Sequence, residues 1–328
     1  GYTETAGLPA LRKAIAEKLR RDNGIPANPD ELLVTVGAVE GLTAAMLALV
    51  DPGDEVILPS PTYSTHVNQV RLCGGTPVFA PTREEDEFAL DLESIRARIT
   101  PKTKALLFCT PSNPTGTVFS TQNLEALAEL ALKHDLFIVT DEAYEYFVYD
   151  DTRHFSIASL PEVRKNVISC FTFTKTYAMT GWRVGYLHAD PEVLLRVRKA
   201  HIPQAICAPV VSQYAALAAL EGPQTCVQEF REKYLSARNL MCSRLDGLSD
   251  YMVYQKPRGS YLMCPRVLTP GGADSKAFCR DVLEKAKVSM TPGSAFGPTG
   301  EAHVRLSFCV PEEMIHRAFD RLEAYFKG

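Results

Sequence analysis

No apolar run in this chain approaches the roughly 18 residues needed to cross a bilayer. The longest one, Leu42–Val50, is short and follows helical spacing. There is no C-x-x-C pair among the nine cysteines, which run from Cys73 to Cys309. An odd number spread over 328 residues argues against a disulfide framework. The expectation is buried free thiols in a reducing compartment, hence a cytoplasmic protein. No H-E-x-x-H and no G-x-S-x-G occurs, and the seven histidines are dispersed, so zinc-protease and serine-hydrolase readings fail and no metal site is expected. Charge of one sign is also lacking: 35 Lys plus Arg stand against 39 Asp plus Glu, a formal net charge of −4. Nucleic acid is therefore not an expected partner. Repeats, low-complexity tracts and a signal peptide are not seen. Gly1 opens in mid-pattern without a methionine, so an N-terminal part of the natural protein is expected outside this chain.

What is present is ordinary for a globular protein: 46% hydrophobic and 23% charged residues. The length predicts one large core and a second, smaller one. Leu8, Leu11, Ile15 and Leu19 recur at helical spacing and predict a helix over 9–22. Strands are predicted at Leu32–Val36, Glu55–Leu58, Thr76–Phe79, Lys104–Cys109, Leu136–Thr140, Val167–Phe171 and Val184–His188. Helices are expected at Glu40–Leu49 and around Leu124, Leu127 and Ala131, the latter capped by Ser120. Apolar strands alternating with helices imply an α/β fold, a mostly parallel sheet covered on both faces. Ligands collect at the carboxyl ends of such strands. Beyond about residue 222 the pattern becomes α+β: a helix over Gln224–Leu245, short strands at Tyr251–Tyr254 and Tyr261–Pro265, a helix over Ser275–Lys287, a strand at Val304–Phe308 and a terminal helix over Glu312–Phe326. The expected division is 1–235 for the large domain and 236–328 for the small one.

The most informative stretch is Phe173-Thr174-Lys175-Thr176-Tyr177-Ala178-Met179-Thr180-Gly181-Trp182-Arg183. A lysine at the end of a predicted strand, among hydroxylic residues, is held rigidly and partly desolvated, which favours a neutral, nucleophilic amine. Alone, such a lysine is more often a surface charge. The stretch resembles the cofactor-lysine segment of the class I/II aminotransferases, pyridoxal-phosphate (PLP) enzymes of fold type I. There, S/T-x-S/T-K is followed by G-x-R-x-G. The resemblance implies that Lys175 forms a Schiff base with PLP, and that Arg183 and Thr172 hold its phosphate, a task suited to the planar fork of arginine.

Other stretches agree, in order, along nearly the whole chain. Asp141-Glu142-Ala143-Tyr144 is similar to the family's D-E-x-Y: Asp141 is then the carboxylate that keeps the pyridine nitrogen protonated, and Tyr144 bonds the ring's phenolic oxygen. Asn113, in Asn113-Pro114-Thr115-Gly116, takes the family's second donor to that oxygen and a place beside the substrate. Gly37, Ala38 and Val39 form a strand-to-helix turn of the kind that cradles phosphate. Tyr63 falls where the family stacks an aromatic on the ring. Arg305, in Val304-Arg305-Leu306-Ser307, matches the arginine that binds the substrate's α-carboxylate. Tyr2 matches a tyrosine that reaches the phosphate of the neighbouring subunit, which implies a homodimer with shared sites. The family carries several dozen residues, part of its small domain, ahead of this point. Some aspartate-using members have lysine where this chain has Val39, so a dedicated aspartate enzyme is not expected. The implied activity is transfer of an amino group between an L-amino acid and a 2-oxo acid. β-Elimination or C–S lyase chemistry on the same fold is the alternative, and a PLP-sensing regulator domain a more distant one.

Overall fold

Seven apolar runs form one sheet in the computed structural model, which describes residues 1–328. They are β1 (Leu32–Thr35), β2 (Glu55–Ser60), β3 (Thr76–Pro81), β4 (Thr103–Cys109), β5 (Phe137–Asp141), β6 (Val167–Thr172) and β7 (Gly185–His188). Their spatial order is β1-β7-β6-β5-β4-β2-β3. Only β7 runs against its neighbours, pairing antiparallel with both β1 and β6. The central strands are buried on both faces, which explains why they read as continuous apolar runs rather than alternating ones.

Helices cover both faces. On one side Leu11, Ile15 and Leu19 of the helix Pro9–Asp22 pack in a core with Leu124, Leu127 and Ala131 of the helix Thr121–Lys133. Proline at the first position of Pro9–Asp22 costs nothing, since that amide has no helical partner. Ser120 Oγ accepts from the Asn123 amide at 3.1 Å, the expected cap. On the other side Leu42, Met46 and Leu49 of the helix Gly37–Leu49 meet Val193, Leu194 and Val197 of the helix Pro191–Ala205. Gly37–Leu49 starts three residues before the predicted Glu40, because the glycine turn itself enters the helix.

A second body packs beside the sheet. Its core joins Met241 and Leu245 of the helix Thr225–Asp246, Phe278 and Val282 of Ser275–Ala286, and Ile315 and Phe319 of Glu312–Lys327. Tyr144, Phe147 and Tyr149 enter this core from the segment after β5. Its strands are short: β8 (Met252–Val253), β9 (Leu262–Met263), β10 (Arg266–Val267), β11 (Thr291–Pro292) and β12 (Val304–Ser307). β12 lies between β11 and β9. Two predicted strands shrink to β8 and β9, since Pro257 and Pro265 nearby have no N–H to give a ladder.

The strand ends that matter are in register. Cys109 is opposite Asp141, Asp141 opposite Cys170, and Thr172 and Thr35 both opposite Gly185. The carboxyl edge of the sheet thus presents the ends of β1, β6, β5 and β4 side by side.

Candidate active site

Lys175 stands just past β6. Thr172 Oγ1 accepts from the Thr174 amide at 3.1 Å and turns the chain into one helical turn, Phe173–Thr176. Lysine sits on that turn rather than on the strand. Its Nζ forms no ion pair; it faces the rings of Tyr144 at 5.8 Å and Tyr261 at 5.4 Å.

Arg183 follows in left-handed backbone, φ +50°, with Nη1 donating to the Thr180 carbonyl at 3.0 Å. Gly37, φ +74°, lies against it: a Cβ there would stand 2.5 Å from Arg183 Nη2. A Cβ on Gly185 would meet the Phe171 carbonyl at 2.7 Å and the Ala38 amide at 3.1 Å. β6, β7 and the amino end of the helix Gly37–Leu49 therefore meet backbone to backbone, with the guanidinium beside the helix N-terminus. That is an anion cradle, built from free amides, a helix dipole and a fixed cation. Glu40 steadies it, accepting from the Val36 amide at 2.9 Å and pairing with buried His201 Nδ1 at 2.8 Å.

Asp141 ends β5 and is almost fully buried. Its Oδ1 accepts from the Ala143 amide at 3.1 Å, and its Oδ2 is 3.2 Å from His66 Nε2. His66 is wholly buried, its Nδ1 has no partner, and the ring of Tyr63 meets it edge-on at 5.3 Å. A carboxylate so held is a fixed acceptor. The Tyr144 phenol is pushed well up, by burial first and by Tyr261 next, so it stays a proton donor at any physiological pH.

Asn113, in the turn after β4, accepts at Oδ1 from Arg305 Nη1 at 3.1 Å. Arg305 Nη2 donates to Thr291 Oγ1 at 3.3 Å, and its guanidinium lies 5.0 Å from the centre of the Phe296 ring. β12 thus delivers the second body's cation to the edge of the sheet.

One cavity of about 490 Å³ gathers these groups. Ala38, Val39, Tyr63, Asn113, Asp141, Tyr144, Thr172, Lys175, Arg183 and Arg305, all named from the sequence, line it. Gly37 sits behind Arg183. Tyr2 is not among them: it is 79% exposed and lines a separate cavity with Val36, Ala205 and Pro209. Sequence reasoning missed Thr174, Thr180, Tyr261 and Ser307, which also face the cavity, and His66, which touches Asp141 from behind. Thr174, Thr180 and Ser307 lie inside stretches already singled out, whereas no local pattern marks Tyr261 or His66, which come to the site from segments remote from those motifs.

The fold is shared with known proteins. The model of the family "Aminotransferase class I and II" matches residues 1–322. An aspartate aminotransferase of Pyrococcus abyssi is 41% identical over 98% of this chain and 83% of its own length. Aromatic-amino-acid aminotransferase 2 of Thermococcus litoralis is 40% identical, over 99% of this chain and 84% of its own. The crystal structure of an aromatic aminotransferase from Pyrococcus horikoshii superposes with a TM-score of 0.96 at 39% identity, covering 100% of this chain and 87% of that one. With matches of this extent over both bodies of the fold, the chain belongs to the class I and II aminotransferase family.

Proposed function

We propose that the 490 Å³ cavity is the site of PLP-dependent amino transfer between an L-amino acid and a 2-oxo acid, with Lys175 as the residue bonded to the cofactor. The observation that carries this reading is a lysine amine free of any ion pair, in one cavity with a buried carboxylate and two further cations. The residues fit the group. The cradle of Gly37, Ala38, Arg183 and Thr172 suits a phosphate, and a Cβ on Gly37 would fill it. Asp141, fixed by His66 and the Ala143 amide, suits a protonated ring nitrogen. Asn113 and Tyr144 supply donors for a phenolic oxygen.

When bound, the cofactor supplies an electron-withdrawing ring that stabilises negative charge at the substrate α-carbon. The chain's own residues do the rest. Arg305 grips the α-carboxylate, a bidentate pairing that fixes the α-hydrogen toward Lys175. Once an incoming substrate amine has replaced it on the cofactor, the freed Lys175 amine would take that proton and return it, acting as base and then acid. Val39, 43% exposed, and the rings of Tyr63 and Tyr261 line the cavity, where the cations of this chain are Lys175, Arg183 and Arg305. This supports substrates with uncharged, including aromatic, side chains over dicarboxylates.

A homodimer completes the reading, with Tyr2 serving the partner's phosphate. Tyr2 lines an apolar cavity with Ala205, Cys207 and Val210, and Ile206, Val211 and Tyr214, close to these in the chain, are also exposed, which supports a covering second copy. The division at residue 235 falls within the helix Thr225–Asp246, which links the two bodies. Seven buried free thiols support a reducing compartment, the cytoplasm.

Lys175→Ala tests the core of this. The wild type reconstituted with PLP is expected to show a visible band that amino acids bleach, and the variant to lose both the band and turnover. A variant that kept turnover would remove Lys175 from the chemistry.

A further inference from the structure

Arg305 reaches the cavity from β12, and neutral groups from three different segments hold its guanidinium. Asn113 Oδ1, in the turn after β4, accepts from Nη1 at 3.1 Å. Thr291 Oγ1, on β11, accepts from Nη2 at 3.3 Å. The centre of the Phe296 ring is 5.0 Å from Cζ, a cation–π distance. Asn113 also faces the cavity, whereas Thr291 is half-buried and is not among the residues that line it. Its hydroxyl works on the arginine from behind.

The local sequence puts that hydroxyl in place. Thr291 and Arg305 are direct partners in the antiparallel β11–β12 pair, which sets both side chains on one face of the ladder. Pro292 follows and favours extended backbone at Thr291. The excursion between the two strands is closed without slack. The Gly293 amide donates to the His303 carbonyl at 2.8 Å, and a Cβ on Gly293 would stand 1.9 Å from the Gly300 carbonyl oxygen. The same excursion carries Phe296, fully buried, whose carbonyl accepts from the Thr62 amide at 2.8 Å, next to Tyr63. The seat of the arginine is thus tied to the large body as well as to its own hairpin.

We propose that Thr291 is a positioning residue for substrate binding: its hydroxyl fixes the second terminal nitrogen of Arg305, so that the guanidinium meets a carboxylate in one orientation. Asn113 alone would leave the fork free to swing about a single bond. Two anchors on different nitrogens set its plane. Each terminal nitrogen carries two N–H groups, so each keeps one for a carboxylate after its anchor is made. Both acceptors are uncharged, so they orient the cation without neutralising it, and the stronger, charge-assisted pairing is left to the substrate. Serine at 291 would keep the anchor; valine, of the same shape without the oxygen, would not. The inference rests on the reading above, in which Arg305 grips the α-carboxylate.

The test compares the PLP-loaded wild type with Thr291→Val and Thr291→Ser. Valine suits a strand, so the fold is kept, and a circular-dichroism melt checks it. The first readout separates KM from kcat with phenylalanine as amino donor. Loss of one neutral hydrogen bond is expected to raise KM about three- to tenfold in Thr291→Val, with kcat within about twofold of wild type. The second readout is binding of hydrocinnamate, an aromatic carboxylate with no amine, followed through the bound cofactor's visible band. Its dissociation constant is expected to rise by the same factor. Thr291→Ser is expected to match the wild type in both measurements, and titration of PLP into cofactor-free protein to be the same for all three. KM and hydrocinnamate affinity unmoved by Thr291→Val, a serine variant as impaired as the valine one, or a parallel loss of PLP affinity overturns the proposal. A wild type that forms no lysine-dependent band, or whose band phenylalanine does not bleach, sinks the reading of the site instead, and the two failures are distinct.

Discussion

Replacing Gly37 with alanine separates a backbone cost from a cofactor cost. At φ +74° an alanine pays about 1–2 kcal/mol for left-handed backbone. The added methyl would lie 2.5 Å from Arg183 Nη2 and 3.1 Å from Cζ. Ordinary carbon contacts begin near 3.5 Å, so the guanidinium must retreat by roughly an ångström. The end of an arginine moves easily, and little further stability is lost. What is lost is its place: one charge-assisted bond to phosphate is worth about 1.5–3 kcal/mol, so PLP is expected to bind roughly ten- to hundredfold more weakly. The assay is a titration of PLP into cofactor-free protein, followed by fluorescence, alongside a thermal melt. Gly53→Ala is the control, since Gly53 has φ +96° with nothing within 4 Å of its Cβ. It is expected to cost similar stability and no affinity. If Gly37→Ala bound PLP as tightly as Gly53→Ala, the cradle assignment would be refuted.

Other expectations follow from single contacts. Arg305→Lys loses the paired fork, and kcat/KM is expected to fall about ten- to hundredfold with the PLP titration unchanged; equal damage to PLP binding would contradict the carboxylate role. Lys18 and Glu145 form a buried ion pair at 2.5 Å, joining the first helix to the segment after β5. Lys18→Met leaves the carboxylate without its cation and is expected to cost about 3–5 kcal/mol in urea unfolding, and a loss under about 1 kcal/mol would show the pair to be idle. His188, with neither ring nitrogen bonded, is pushed down from 6.5 to about 4, by burial first and Arg164 next. A depressed histidine contributes stability that is complete above pH 6.5 and is lost as pH falls toward 4, about 3 kcal/mol in all. His188→Leu should flatten that acid limb, and an unchanged limb in equilibrium melts would show that another group causes it.

The parts of the site that sequence revealed are those set by neighbours along the chain. A strand end fixes where Asp141 and Thr172 emerge, and a helical turn after β6 fixes Lys175, so short motifs carry them. Arg305 was readable because Val304-Arg305-Leu306-Ser307 resembles the family's carboxylate-binding stretch. His66 was not, since its meaning comes from Asp141, a residue 75 positions away. Tyr261 was placed in a strand, yet its position depends on Gly259 fitting between Pro111 and Val118, a steric fact that no local pattern encodes. The helix Val210–Glu221 also lacked a readable stripe: it buries Ser212, Gln213 and Ala216 while leaving Val211 and Tyr214 exposed. Periodicity fails when apolar residues occupy both sides of a helix: Ala216, Leu217 and Leu220 pack into the core while Val211 and Tyr214 stay exposed.

The reversed strand has a mechanical consequence. Because β7 returns antiparallel beside β6, the chain between them leaves and re-enters the sheet at the same edge, with Thr172 and Gly185 as facing partners. Lys175 and Arg183 both lie on that excursion. In the proposed function, the covalent hook and the electrostatic hook for one small molecule would therefore share a single pair of hinges. Neither can drift from the other while the β6–β7 rungs hold, and unzipping those rungs would let both go together.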